Sequence, residues 1–117
     1  MKTGTDLIAE AKARITEVSA AEALALQSHG GVTFLDVRDQ QEVNLGRIPG
    51  AMHISRGNLE HKVEGVIPRD ADVVLYCGGG GRSALAADTL RQMGYEKVRS
   101  LAGGFRAWAE SGGDIDG

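Results

Sequence analysis

Apolar and polar positions change their period several times along this chain, and each change marks an element. Thr5 to Arg14 is rich in good helix formers, with Thr5 or Asp6 available as a cap, and predicts a short helix. Ile15-Thr16-Glu17-Val18 alternates as a strand does. Ser19 then caps a second helix, with Glu22 at the capping-box position and Gly30-Gly31 at its end. Val32 to Val37 is an apolar run of strand type that closes in Asp36-Val37-Arg38. Asp39 to Leu45 reads as a short helix stopped by Gly46, Ile48-Pro49-Gly50 as a turn, and Ala51 to Ile54 as a short strand. One or two helical turns follow over Asn58 to Val63, and Pro68-Arg69-Asp70 marks a loop. Val73-Val74-Leu75-Tyr76 is a continuous apolar strand of the kind buried on both faces. Arg82 to Met93 places Ala86, Leu90 and Met93 on one helical face and ends at Gly94. Val98 to Leu101 is the last strand and Phe105 to Glu110 the last helix. The polar tail from Ser111 to Gly117 is expected to fray.

Strands therefore alternate with helices about five times. That pattern predicts an α/β fold, an open, mostly parallel five-stranded sheet with helices on both faces. No internal repeat or linker divides the chain, and its 117 residues fit one domain, 1–117. Within it, 1–14 is a helical extension and 111–117 the frayed tail. The apolar share of 42% with few aromatics predicts a core of Val, Leu, Ile and Ala. A net charge of −3 argues against a nucleic-acid partner held by electrostatics. No apolar run approaches the ~18 residues needed to span a membrane, so no membrane partner is expected. Met1 to Arg14 lacks the basic start and apolar centre of a signal peptide. Cys77 is the single cysteine, so no intramolecular disulfide can form. That usage fits a reducing compartment, and a cytoplasmic location is the expectation. His29, His53 and His61 share no ligand spacing, so neither a metal nor a cofactor is expected.

Glycine sharpens the picture. Seventeen residues are Gly, about twice the usual ~7% share, and four of them stand in one run, Gly78, Gly79, Gly80 and Gly81. Cys77 precedes the run at the end of a predicted central strand, where open parallel sheets bind ligands. Arg82 and Ser83 follow it and open a helix. Four glycines can curl tightly and turn successive backbone N–H groups inward, and the helix N-terminus adds positive potential. The anion such a nest encloses is the Cys77 thiolate or a charged group attached to it. On this reading Arg82 adds a fixed cation at the rim. Because an arginine there opposes the helix dipole, a bound anion accounts for it. Gly79→Val is expected to damage the loop, since a β-branched residue resists positive φ. A P-loop would need glycine where Tyr76 stands. The string Gly79-x-Gly81-x-x-Ala84 fits the loose dinucleotide pattern, but only one strand follows it and Arg99 stands at the acid position, which argues against that reading.

Cys77-Gly-Gly-Gly-Gly-Arg82-Ser83 before Ala84-Leu85-Ala86-Ala87 resembles the active-site loop of single-domain rhodanese-like (thiosulfate) sulfurtransferases, commonly Cys-Arg-x-Gly-x-Arg-Ser. Phe34-Leu35-Asp36-Val37-Arg38-Asp39 with Glu42 is similar to that family's Asp-Val-Arg segment. Gly46-Arg47-Ile48-Pro49-Gly50-Ala51 is similar to its Gly-His-Ile-Pro-Gly-Ala segment, and Leu101 to Trp108 to its closing Gly-Gly-Phe/Trp-x-x-Trp segment. The resemblance runs from about Ile15 to Gly112. It departs at Arg47, where His is usual, and in the bare loop interior, whose side chains help to choose the donor.

The resemblance implies a two-step covalent mechanism. Cys77 takes the outer sulfur of a donor such as thiosulfate, stores it as a persulfide among Gly78 to Gly81, Arg82 and Ser83, and passes it to cyanide or a thiol. A protein can stand in as donor or acceptor. Arg56 resembles a pocket-side position of some members, with a substrate-anion role. Asp36 and Arg38 read as a supporting ion pair, and Phe105 and Trp108 as core anchors. Two other readings stay open: a persulfide carrier or binding module serving a protein partner, and a cysteine phosphatase or arsenate reductase. The latter enzymes close their loop as Cys-x5-Arg, one residue longer than the Cys-x4-Arg here, and usually carry His where Tyr76 stands.

Overall fold

The computed structural model describes all 117 residues. Helices and strands alternate as α1 Gly4–Arg14, β1 Thr16–Val18, α2 Ala20–His29, β2 Thr33–Asp36, α3 Gln40–Asn44, β3 Met52–His53, α4 Leu59–Val66, β4 Val73–Tyr76, α5 Gly81–Gln92, β5 Val98–Leu101 and α6 Gly104–Glu110. A 3-10 turn, Arg56–Asn58, leads into α4. The strands form one sheet in the order β1-β5-β4-β2-β3, and every pairing is parallel. The expected five-stranded sheet is thus present, and it is parallel throughout. After β2 the chain leaves toward the β3 edge; after β4 it leaves toward β5. These diverging exits open a crevice beyond the carboxyl ends of β2 and β4, the usual ligand position in such sheets.

Alternation along β4 divides the core. Val73, Leu75 and Cys77 face Leu59 and Val63 of α4 and Ala86, Ala87 and Leu90 of α5. Val74 and Tyr76 face the other way, with Phe34, Leu101, Ala23 of α2 and Trp108 of α6. The period-2 geometry of a strand therefore aims Cys77 at α5. Phe34 and Trp108 meet edge to face, with ring centroids 5.9 Å apart. Beyond α5 lies α1, docked through buried Ala11 and through Arg14, which donates to Asp88 Oδ2 at 3.1 Å.

Caps follow the expected chemistry with one shift. Ser19 and Glu22 form the predicted reciprocal box. The first helix is capped by Thr3, two or three residues earlier than read, because Asp6 sits at its third position and accepts a bond from the Thr3 N–H. The tail, expected to fray, is bonded back onto the domain. Arg47 and Asp116 exchange both backbone bonds at 2.9 Å. Trp108 Nε1 donates to Asp114 C=O at 2.8 Å, and Gly113 lies flat on the indole, where a Cβ would fall 2.3 Å from a ring carbon.

Asp36 and Arg38 form a buried ion pair, at 1% and 4% exposure. Arg38 donates to both carboxylate oxygens, at 2.8 Å from Nη2 to Oδ2, and to Gly46 C=O at 2.7 Å. Its guanidinium lies over the Phe105 ring at 4.4 Å and the Tyr76 ring at 5.5 Å. One cation thus ties β2, β4, the α3–β3 connection and α6 together. Asp36→Ala leaves that cation buried and unpaired, and the expected loss is about 3–5 kcal/mol of unfolding free energy. Urea denaturation checks it; a loss below about 1 kcal/mol contradicts this assignment.

Candidate active site

The chemistry begins where α5 lacks a cap. Its N-cap residue is Gly80, which has no side chain to accept the free first-turn amides. The Cys77 sulfur fills that role. Gly80 N–H donates to Sγ at 3.0 Å and Ser83 N–H at 3.4 Å, while Ser83 Oγ lies 3.5 Å away. Cys77 itself is 1% exposed. Burial pushes its thiol up. The donors on Ser83, Gly80 and Gly79 outweigh that effect and hold it below the ordinary thiol value.

Ser100 completes this arrangement. Its Oγ is 2.8 Å from Ser83 Oγ, and both serines are fully buried. With the Ser100 hydroxyl donating to Ser83, the Ser83 proton is free for the sulfur or for Gly80 C=O at 3.3 Å. Sequence reading passed over Ser100. The available signal was a serine in a buried strand, in register with Leu75 and hence on the face of Cys77.

The glycine run divides its work unevenly. Only Gly80 adopts positive φ, at +103°, and a Cβ there would press 3.2 Å from Gly103 N and 3.4 Å from Leu101 O. Gly79 lies outside the left-handed region with open space around it, so the expectation that Gly79→Val strains the loop is corrected: the constrained position is Gly80. A Cβ on Gly78 would meet Arg82 Nη2 at 3.3 Å, and one on Gly81 would meet the Ile8 side chain at 3.1 Å. Ile8 on α1 therefore walls the start of α5.

Gly103 and Gly104 hold the loop from its carbonyl side, a role beyond opening the last helix. Phe105 N–H donates to Cys77 C=O at 2.7 Å and Arg106 N–H to Gly78 C=O at 3.2 Å. Gly104 sits at φ +59°, and a Cβ there would overlap Cys77 O at 2.4 Å. No other residue permits this approach.

Two arginines are placed differently from expectation. Arg82 needs no bound anion, because Glu42 supplies the counter-charge through bonds of 2.7 and 3.0 Å. The Arg82 guanidinium in turn holds the Glu42 carboxyl down to about 2. Glu42 also accepts from Asp39 N–H, so α3 is anchored to the head of α5. Arg56 is not brought to the loop. It pairs with Glu60 and donates to Thr89 Oγ1 at 3.1 Å. Thr89 lies eight residues along α5 from Gly81, about 12 Å by helical rise. No group of three or more metal-ligating side chains is present.

Known proteins are similar to this chain in sequence and fold. The family model of the Rhodanese-like domain matches residues 19–111. A sulfurtransferase of Allochromatium vinosum is 40% identical over 81 residues, 69% of this chain and 75% of that protein. The thiosulfate sulfurtransferase GlpE of Tolumonas auensis is 33% identical, covering 81% of this chain and 89% of its own length. Among solved structures, RPA3614 of Rhodopseudomonas palustris superposes with a TM-score of 0.90 at 36% identity, covering 99% of this chain and 96% of that one. It is described as a protein of unknown function and possible tyrosine phosphatase.

Two outcomes follow from the geometry. Ser83→Ala removes a donor to the thiolate, so the pH midpoint for alkylation of Cys77 by iodoacetamide should rise; an unmoved midpoint rejects the donor role. The wild-type midpoint itself should lie below the ordinary thiol value. A depressed folded-state value also means that stability rises with pH from that midpoint toward the unfolded thiol's. Gly80→Val should cost at least about 1–3 kcal/mol in denaturation and slow alkylation, while Gly79→Val stays near wild type in both. Equal effects at the two positions contradict the assigned backbone.

Proposed function

The chain belongs to the rhodanese-like domain family, and we propose that it acts as a sulfurtransferase through a persulfide on Cys77. The observation that carries this reading is the sulfur's position as the cap of α5, held by Gly80 N–H and Ser83 N–H with the Ser83 hydroxyl 3.5 Å away. These donors favour the thiolate, which is the attacking form.

In the first half-reaction Cys77 S⁻ attacks the outer sulfur of a donor such as thiosulfate. The donor's S–S bond breaks, its electron pair leaves with sulfite, and a new S–S bond forms at Cys77. The product persulfide carries the same single negative charge as the starting thiolate. In the second half-reaction a nucleophile such as cyanide takes the outer sulfur, and the bonding pair returns to Cys77. The loop amides face a sulfur anion in both resting forms, so little reorganisation is needed. A cysteine with 1% exposure also favours a single projecting sulfur atom over a bulkier reacting centre.

A phosphatase, the activity raised in the description of RPA3614, needs an arginine free to hold phosphate oxygens. The loop arginine here is engaged by Glu42, and the Cys-x4-Arg cradle is short for a tetrahedral group. Hydrolysis of p-nitrophenyl phosphate that depends on Cys77 would reverse this preference.

Intact mass provides the main test. Incubation with a panel of sulfur donors should add 32 Da (one sulfur) to Cys77, and cyanide should then release thiocyanate and restore the original mass. Cys77→Ser should do neither. Failure of every donor to load the cysteine would falsify the proposal. Loading from a protein persulfide with negligible thiosulfate turnover would instead identify a carrier.

A further inference from the structure

Two cations near the loop are committed. Arg82 gives both terminal nitrogens to Glu42, and Arg38 is buried on Asp36. The Asp39 carboxylate also faces Arg82 electrostatically. None of these groups therefore offers a free positive charge to a dianionic donor.

Arg106 alone breaks the pattern. Its main-chain N–H bonds Gly78 C=O, so its backbone touches the catalytic loop. Its side chain is exposed and takes part in no salt bridge. Helical side chains lean toward the N-terminal end, which for α6 is the end that meets the loop. The neighbouring surface is bare: Gly79 is exposed, with nothing within 4 Å of where a Cβ would stand.

We infer that Arg106 is the donor-binding cation of this protein, holding the sulfonate-type anionic end of a sulfur donor while the outer sulfur enters the loop toward Cys77. This rests on the sulfurtransferase reading above. A guanidinium is suited to the role because its planar donors can take two oxygens of one anion. It acts on donor capture and not on the thiolate, so its effect belongs to KM for anionic donors.

Steady-state kinetics with two donors tests the inference. One is thiosulfate; the other is the persulfide of 2-mercaptoethanol, whose leaving group carries no sulfonate. Arg106→Ala should raise KM for thiosulfate about tenfold with kcat within about twofold, and Arg106→Glu should raise it further. Arg106→Lys should recover most of the loss. For the neutral-headed persulfide all three variants should stay within about twofold of wild type. Added salt should weaken thiosulfate capture more in wild type than in Arg106→Ala. An unchanged thiosulfate KM in Arg106→Ala, or equal losses with both donors, overturns the inference. So does a wild type that loads sulfur from the persulfide but not from thiosulfate, an outcome that leaves the Cys77 reading standing. A wild type that acquires no sulfur from either donor removes both.

Discussion

The structure depends on an unfinished helix. The first amides of α5 have no capping side chain of their own, and the sulfur at the end of β4 accepts two of them. Such amides are obligatory donors, and leaving them unpaired in a buried site is costly. The sulfur they bind is at once a structural cap and a poised nucleophile. Folding and reactivity therefore draw on the same bonds. The donors that lower the thiol's proton affinity are those that let the helix begin where it does.

Every neighbouring element keeps that junction in place. Glu42 reaches from α3 to offset the charge that Arg82 brings to the positive end of a helix dipole. Gly104 lets α6 come close enough for Phe105 and Arg106 to bond the Cys77 and Gly78 carbonyls. The loop is thus bonded on both of its sides, its N–H groups inward to sulfur and its carbonyls outward to α6. On the far flank Ile8 rests against Gly81, and Arg14 and Arg91 share Asp88. α1 lies outside residues 19–111 that the family model matches, but inside the 99% of this chain that superposes on RPA3614.

What the sequence made legible were local features. The parallel sheet, the Ser19–Glu22 box and the Cys77–Ser83 loop each follow from residues close together in the chain. Features that depend on distant partners were read less well. Which glycine of four takes positive φ is decided by Gly103 and Leu101, more than twenty residues away, so nothing in the run itself distinguishes Gly80 from Gly79. Arg82 looked like an anion-binding group because its counter-ion, Glu42, lies forty positions earlier. Arg56 fitted a family position but swings to Glu60 and Thr89. A polar tail looked free because its anchors, Arg47 and Trp108, belong to other elements.

The strand order has a consequence for the chain's birth. β1 pairs only with β5, which is inserted between it and β4. During vectorial synthesis β1 emerges some eighty residues before that partner, roughly 4–16 s at ~5–20 residues per second. The sheet is closed by the last strand made, and contacts of such long sequence separation form slowly. A waiting edge invites mispairing with other chains. Here it is three residues long, and Thr16 and Glu17 are polar and exposed. That brevity and polarity protect the nascent chain until β5 arrives.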